Sequence, residues 1–124
     1  MINKKGCSIG GLNFVIGNER HLSVRVGEDN LWSTGIVIRA SDGHQIFDNK
    51  SGRLKNKSRP IVIGNHVWVG ANATILKGSV IANDSIVGNS AVVAKEFQES
   101  NVAIAGNPGK VVGQDISWLR VLII

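Results

Sequence analysis

The chain has 124 residues, of which 43 % are hydrophobic and 19 % are charged, and its formal net charge is +5. This length and composition indicate one globular domain, residues 1–124, and exclude a disordered chain. Because no stretch approaches the roughly 20 apolar residues of a membrane span, and the first residues lack the apolar run of a signal peptide, the protein is predicted to be cytoplasmic.

The N-terminal part of the chain, up to Ile38, contains a weak repeat with a period of six. Residues 1–15 carry three glycines and are interpreted as an incomplete first coil, while the single cysteine, Cys7, excludes an intrachain disulfide. Ile16 and Leu22 begin the repeat. Large apolar residues then recur at every sixth position, at Val26, Trp32 and Ile38. Short strands separated by corners are typical of this pattern.

The repeat is interrupted after Ile38 and resumes at Ile63. Four further repeats from Ile38 would end one position earlier, so the phase has changed. Residues 48–60 within the interruption are polar and show no periodicity. They are predicted to form a loop that is extruded from the repeat and closed by Pro60.

This loop also contains the excess of positive charge. Its five bases are Lys50, Arg53, Lys55, Lys57 and Arg59. Outside residues 48–60 the chain has nine bases and eight acids, and no aromatic residue is interleaved with the bases of the loop. Nucleic acid is therefore not the expected partner. Two interpretations remain, a solvated loop or a landing surface for an anionic substrate or a cofactor phosphate.

The strongest pattern is a row of aliphatic residues at every sixth position, Ile63, Val69, Ile75, Ile81, Val87 and Val93. A period of six is neither the 3.6 of a helix nor the 2 of an ordinary strand. It predicts an all-β parallel solenoid in which each short strand buries one aliphatic residue and then turns a corner. The pairs Gly64–Asn65, Asn83–Asp84 and Gly88–Asn89 are expected at corners that need unusual backbone angles.

The C-terminal part departs from the repeat. An apolar run, 102–105, leads into a Gly-Asn-Pro-Gly-Lys turn and a tail, 116–124, that holds Trp118 and Leu119. Residues 107–124 are interpreted as a cap on the last coil, or as a tail docked on the body of the chain or on a neighbouring subunit.

Further valines lie outside the aliphatic row, at Val62, Val67, Val80 and Val92. They are predicted to cover flat outer faces that bury against other copies of the chain.

Three segments together resemble the hexapeptide-repeat acyltransferases: Ile63–Ile75 (IGNHVWVGANATI), Val87–Lys95 (VGNSAVVAK) and Ala105–Val111 (AGNPGKV). The chain looks most like the maltose/galactoside and polysaccharide O-acetyltransferases, with the xenobiotic acetyltransferases close by, over about residues 16–113. The resemblance implies a left-handed parallel β-helix and a homotrimer that holds acetyl-CoA between subunits. It also implies acetyl transfer from acetyl-CoA to a hydroxyl of a sugar or polysaccharide precursor.

The resemblance places the catalytic base at His44, directly before the extruded loop. A neutral imidazole can take the proton of the acceptor as it attacks the thioester. The six-residue phase of Ile38 also puts His44 at an inward position, so a hydrogen-bonded core histidine is the alternative. Asp42 either orients the ring or forms the turn before Gly43.

The resemblance also implies roles at other positions. Trp68, four repeat lengths after His44, corresponds to a tryptophan beside the acyl-transfer site, or packs against a neighbouring coil. Asn13 matches an asparagine that contacts the acceptor. The cofactor residues are Ala71 and Asn89 for the pantetheine arm, Lys95 and Lys110 for the phosphates, and Asn107 and Pro108 for the turn before Lys110. Ala94 and Gly113 depart from the family's pattern, since relatives carry Thr and Arg there.

The other histidines, His21 and His66, are interpreted as surface polar residues. Each is more than three repeat lengths from His44 in the sequence, so the close pair that a zinc site in this solenoid needs is missing, and no metal is expected.

Two other functions stay open, N-acetylation of an amino sugar or xenobiotic amine, and a non-catalytic scaffold that binds CoA. The short N-terminal part favours the scaffold, and a panel of acceptors would separate the enzymes.

Overall fold

The computed structural model describes residues 5–15 and 23–121, and every regular element in this part of the chain is a β-strand. The strands are β1 Ser8–Ile9, β2 Leu12–Val15, β3 Val24–Val26, β4 Leu31–Trp32, β5 Ile36–Arg39, β6 Ile61–Ile63, β7 Trp68–Val69, β8 Thr74–Leu76, β9 Val80–Ile81, β10 Ile86–Val87, β11 Val92–Val93, β12 Glu96–Phe97, β13 Ala103–Ala105 and β14 Lys110–Gly113. No helix in these residues is long and apolar enough to cross a membrane.

The strands stack into three parallel sheets that form the faces of a prism. Face I contains β1, β4, β7, β10, β13 and β14, face II contains β2, β5, β8 and β11, and face III contains β3, β6, β9 and β12. Consecutive strands from β3 to β13 occupy faces III, I and II in turn, so each circuit of three strands is one coil. Every pairing is parallel except that of β13 with β14. The predicted left-handed parallel β-helix is confirmed.

The aliphatic row predicted from the sequence forms the core. All six residues from Ile63 to Val93 are buried, and so are Val26, Trp32 and Ile38. A second inward row precedes each of the six by two positions, at Ile61, Val67, Ala73, Ser79, Ser85 and Ala91. The prediction that Val67 covers an outer face is therefore wrong. Val62, Val80 and Val92 do point outward, because side chains alternate across a strand.

Left-handed backbone conformations recur at the corners with the same period of six. They occur at His66, Asn72, Gly78, Asp84 and Ser90, with φ between 54° and 76°. The prediction of unusual backbone angles was right for Asp84. Gly64 instead permits a close approach of coils, because a Cβ there would lie 2.3 Å from Asn83 Oδ1. That oxygen accepts a hydrogen bond from Asn65 N at 2.7 Å and so joins successive coils.

The extruded segment between β5 and β6 is longer and more ordered than the predicted loop. In a regular coil, paired residues are three repeats apart, as Val69 and Val87 are. The coil that contains the extruded segment separates the paired residues Trp32 and Val69, and it is about twice as long. Phe47 and Leu54 form an antiparallel bridge within it. Pro60 ends the segment directly before β6, as predicted. We call residues 41–60 the hairpin.

The C-terminal segment has two parts. β14 pairs antiparallel with β13 and covers the free edge of face I, as a cap would. Residues 116–121 then run along the side of the solenoid, where Trp118 is buried against His66 and Arg120 reaches Gly6. Docking on the body of the chain, one of the two expectations for the tail, therefore describes residues 116–121. Ile16 and Leu22 of the N-terminal repeat, His21, and residues 122–124 lie outside the described residues.

Candidate active site

His44 lies at the corner between faces II and III, at the base of the hairpin. It is exposed, and its carbonyl oxygen accepts a hydrogen bond from Asn56 Nδ2 at 2.7 Å. Within the described residues no hydrogen bond involves its imidazole ring. The alternative of a core histidine is wrong, because the chain leaves the coil after Ala40 instead of continuing the inward row. A solvent-facing imidazole held by its backbone is available as a proton acceptor.

Asp42 anchors the hairpin, and within the described residues no hydrogen bond joins its carboxylate to the His44 ring. Its Oδ2 accepts hydrogen bonds from Lys77 Nζ at 2.5 Å and from Asn56 Nδ2 at 2.9 Å. The hydrogen bond from Lys77, helped by that from Asn56, lowers the pKa of Asp42. The prediction that Asp42 orients the imidazole is therefore wrong. Its carboxylate instead ties the base of the hairpin to Lys77, at the same corner of the next coil.

The tip of the hairpin is organised by Asp48. Its Oδ2 accepts hydrogen bonds from Ser51 N at 2.7 Å and Lys50 N at 3.1 Å, and the bonds from Ser51 lead in lowering the pKa of Asp48. The five bases of the hairpin are all exposed. Ile46 and Phe47 beside His44 are also exposed, at 55 % and 51 %. The hairpin thus presents positive charge and apolar surface together, close to the candidate base.

Three of the predicted cofactor residues line one cleft. Lys95, Pro108 and Lys110 surround a cavity of about 270 Å³ together with Ala94 and Gly109. Lys95 belongs to the same corner as the hairpin, two coils further along, which is about 10 Å at the usual spacing of strands. Both lysines are exposed, so the cleft carries two positive charges toward solvent. Asn107 is exposed in the turn that leads into it.

Ala71 and Asn89 are joined to each other at the corner between faces I and II. Asn89 Oδ1 accepts a hydrogen bond from Ala71 N at 2.9 Å, and Ala71 O accepts one from Ser90 N at 2.8 Å. The Ala71 amide, which the resemblance offers to a pantetheine arm, is thus used within the chain. Asn89 is exposed at this corner.

Trp68 lies apart from His44. It is on the outer surface of face I, 41 % exposed, between Leu31 and Ile86 of the neighbouring coils. Face I is opposite the corner between faces II and III, so one chain does not bring Trp68 and His44 together. Asn13 is exposed on the outer surface of face II, beside Val37 of β5, the strand that leads to His44.

A cluster around His66, at the corner between faces III and I, was not predicted from the sequence. His66 Nδ1 lies 2.7 Å from Asp29 Oδ2, and its Nε2 lies 3.0 Å from Trp118 O. The imidazole stacks on the Trp118 ring at 3.8 Å between centroids. His66 thus lies at the surface, with 23 % of its side chain exposed, but both of its ring nitrogens have partners that the interpretation as a surface polar residue did not predict. The period of six predicts that His66 lies at a corner, in line with Asn72 and Asp84. It does not predict the partners of the ring, because both are distant in the sequence.

No group of three His, Cys, Asp or Glu residues suited to a metal ion occurs within residues 5–15 and 23–121. The five bases of the hairpin and the two lysines of the cleft are instead the main concentrations of charge around the II–III corner. Both would attract anions.

Comparisons with known proteins agree with the fold and with the repeat. Residues 60–95 match the family described as "Bacterial transferase hexapeptide (six repeats)". A polysialic acid O-acetyltransferase of Escherichia coli O1:K1 / APEC is 42 % identical over 98 residues, covering 79 % of this chain and 32 % of the relative. A polysialic acid O-acetyltransferase of Neisseria meningitidis is 42 % identical over 97 residues, covering 78 % of this chain and 45 % of the relative.

The crystal structure of the polysialic acid O-acetyltransferase OatWY is similar along almost the whole chain. It superposes with a TM-score of 0.91 at 37 % identity, covering 98 % of this chain and 56 % of that chain. The present chain thus spans about a third to a half of the length of the curated relatives it matches. Over that shared length, both sequence and backbone follow the same solenoid.

Proposed function

The chain belongs to the hexapeptide-repeat transferases, and from this membership we propose that it transfers an acetyl group from acetyl-CoA to a hydroxyl group of an acidic sugar polymer. The observation that carries the proposal is the exposed His44 imidazole at the base of a hairpin with five exposed bases. The relatives described above are named for O-acetylation of polysialic acid, a polyanion. The reaction belongs in the cytoplasm, where acetyl-CoA is available.

His44 acts as the general base. As the acceptor hydroxyl oxygen attacks the carbonyl carbon of the thioester, a nitrogen of the neutral imidazole takes the hydroxyl proton. The carbon–sulfur bond then breaks, the acetyl group stays on the acceptor oxygen, and the thiolate of CoA leaves and receives the proton from the imidazolium. No covalent enzyme intermediate forms, so catalysis depends on holding both substrates in contact.

The cleft beside Lys95 and Lys110 is the site for the phosphates of the donor. Two lysines act there as point charges, which suits a flexible polyphosphate end. Pro108 and Asn107 shape the turn that brings Lys110 to the cleft. At the corner between faces I and II, Asn89 offers its side-chain amide to the pantetheine arm, because the Ala71 amide is already bonded.

The active unit is a homotrimer whose sites lie between subunits. The separation of His44 from Trp68 within one chain supports this arrangement, since a neighbouring chain can supply the missing side. Face I carries an apolar stripe, Leu31, Trp68 and Ile86, and the exposed Ile46 and Phe47 of the hairpin offer matching apolar surface. Burial of such surface between copies adds core that a short solenoid lacks.

The charge of the hairpin supports an acidic acceptor. Its exposed bases lie on the same segment as His44, where a polymer of negatively charged sugars would be concentrated by the local potential. Asn13 bonds the sugar that is acetylated; its position on face II, beside the strand that leads to His44, supports this role.

Titration of the protein with acetyl-CoA in a calorimeter tests the donor site. We expect saturable binding near one site per chain, weakened in Lys110→Ala because a phosphate contact is lost, and unchanged in Lys5→Ala, an exposed lysine of the first coil.

The acetylation of polysialic acid and of neutral and amine acceptors is then followed with the wild-type protein. Donor binding without transfer to any acceptor would contradict the enzymatic proposal and favour a scaffold. Transfer to amines alone would replace O-acetylation by N-acetylation.

A further inference from the structure

The C-terminal tail runs back along the corner between faces III and I. Ile116 N donates to Asn101 O at 3.0 Å beside the last coil. Trp118 Nε1 then donates to His66 O at 2.9 Å, two coils earlier. Arg120 finally reaches the first coil, where its Nη2 donates to Gly6 O at 2.8 Å. The tail is therefore fastened at several coils, and Trp118 lies at its centre.

The geometry around His66 requires a proton on each ring nitrogen. Its Nδ1 faces a carboxylate oxygen of Asp29 at 2.7 Å, and its Nε2 faces the carbonyl oxygen of Trp118 at 3.0 Å. Both oxygens can only accept hydrogen bonds, so both nitrogens must donate. Only the imidazolium carries two N–H donors. The doubly protonated ring then also stacks on the Trp118 indole, with 7° between the planes, where a cation is attracted by the aromatic face.

The charged groups around His66 are mixed in sign. Asp29 faces it from the preceding coil and Asp84 from the next one, while Glu28 accepts from His66 N through its carbonyl and Arg120 of the tail bonds Asp29 Oδ1. Burial lowers the pKa of His66, but the hydrogen bonds to Trp118 and Asp29 outweigh it and raise the pKa overall. The bond from His66 lowers the pKa of Asp29.

Trp118 is also a neighbour of Trp68. The two indole rings lie 6.1 Å apart between centroids and are tilted by 48°, an arrangement that aromatic pairs favour. Trp118 is only 6 % exposed, whereas Trp68 is 41 % exposed. The fixed ring therefore limits the orientations of the solvent-facing one.

We propose that Trp118 is a positioning residue that fixes the Trp68 ring in the candidate active site, and that doubly protonated His66 holds Trp118 in place. The kinetic consequences of this inference rest on the proposed acetyltransferase function. Nothing in the resemblance assigns a role to Trp118 or to this contact. Trp68 is then presented to the neighbouring subunit in one orientation, as a preformed wall of the acceptor pocket.

The hold on the tail depends on pH in a definite direction. The pKa of His66 is raised in the folded chain. The stability that its contacts contribute is therefore fully present below the pKa of the unfolded chain, and it is lost as the pH rises through the folded pKa. The pKa of Asp29 is lowered, so its contribution persists until the pH falls through that lower value. The tail is thus held most firmly between these two limits, and it loosens as the pH rises through the folded pKa of His66.

An NMR titration of the histidine rings tests the His66 contact without reference to activity. We expect the His66 signals, identified by their absence in His66→Gln, to show protons on both nitrogens at about pH 6 and a half-titration above the usual value of about 6.5. Asp29→Asn is expected to lower that half-titration. A neutral ring at about pH 6, or a half-titration at or below the usual value, would overturn the hold on Trp118.

Steady-state kinetics tests the positioning of Trp68. We expect Trp118→Ala to raise the KM for the acceptor by roughly three- to tenfold with little change in kcat, because an aromatic contact present in ground and transition states alike is lost. Trp118→Phe should restore most of the affinity, and Leu119→Ala, a 75 % exposed position of the same tail, should match the wild type.

The pH profile separates this role from a purely structural one. The acceptor KM of the wild type should rise as the pH rises through the folded pKa of His66, while His66→Gln should show the raised KM already below that pKa and little further change with pH. Equal profiles in the two proteins, or an acceptor KM unchanged in Trp118→Ala, would overturn the inference. A wild type that acetylates no acceptor refutes the proposed function instead, and the NMR titration still decides whether His66 holds the tail.

Discussion

In the proposed mechanism, the chemistry at the II–III corner depends on one imidazole that faces solvent, that of His44. Replacing His44 by Ala removes the proton acceptor but no contact of the donor cleft. We expect kcat for acetyl transfer to fall by about 10²- to 10⁴-fold, with the affinity for acetyl-CoA unchanged. The measurement is steady-state transfer to polysialic acid beside calorimetric titration with the donor. Transfer rates within a few fold of the wild type would show that another group takes the proton.

Asn30 is a buried polar side chain that joins two coils. It is fully buried, its Oδ1 accepts from Val67 N at 3.0 Å, and its Nδ2 donates to Gly27 O at 2.9 Å and Gly64 O at 3.1 Å. Asn30→Ala removes these bonds from the buried Val67 N and from Gly64 O, whereas Gly27 O keeps a bond from Cys7 Sγ at 3.5 Å. We expect a loss of about 2 to 5 kcal/mol in the free energy of unfolding, measured with urea.

The matched control for Asn30 is Gln98→Ala, an exposed polar residue whose amide bonds Glu96 and, in the part of the chain that the structure describes, no other residue. Its substitution should change stability by less than about 0.5 kcal/mol. Similar small losses in both variants would mean that water takes the place of the Asn30 amide.

The hairpin is an ordered element because its base is pinned by an ion pair. The folded pKa of Asp42 is lowered by the hydrogen bond from Lys77, so the contact is present above the unfolded pKa of Asp and is lost as the pH falls through the lower folded value. We therefore expect the hairpin to stay anchored at mildly acidic pH and to loosen only under stronger acid. Amide hydrogen exchange of residues 41–60 would report this.

Lys77→Met separates the ion pair from the rest of the corner. It keeps the aliphatic stem while removing the charge, so exchange in the hairpin should be faster at neutral pH and should depend less on acid. Lys57→Met, within the hairpin but outside this contact, provides the comparison. Unchanged protection in Lys77→Met would show that Asn56 alone holds the base, through its bonds to Asp42 and to His44 O.

Local periodicity predicted the parts of the fold that repeat, and long-range bonds determined the rest. The row from Ile63 to Val93 is readable because each coil reuses one inward position. The order of the hairpin depends on Asn56 meeting His44 and Asp42 across the turn, and the path of the tail depends on Trp118 meeting His66, far earlier in the chain. No period encodes such pairings. The candidate base was identifiable only through the resemblance, since the phase alone favoured burial of His44.

The prism as a whole supports the proposal that the site is shared between chains. Its three flat faces separate His44, at the base of the hairpin on the II–III corner, from Trp68 on the outer surface of face I. The sequence pattern predicted association of outer faces, but it counted the inward Val67 among them. The separation of His44 and Trp68 on the prism therefore supports shared sites better than the outward-facing valines do.

Mixed oligomers test the shared site directly. His44→Ala and Trp68→Ala chains are each expected to have very low kcat/KM as homotrimers, since every site lacks one side. When the two are co-expressed in equal amounts and assemble at random, about one interface in four combines an intact His44 from one chain with an intact Trp68 from the next. Activity should therefore recover to about a quarter of the wild-type value. Mixing of the purified homotrimers without exchange of subunits is the control and should restore nothing. If the co-expressed chains form mixed trimers and remain inactive, His44 and Trp68 do not serve one site across a subunit interface.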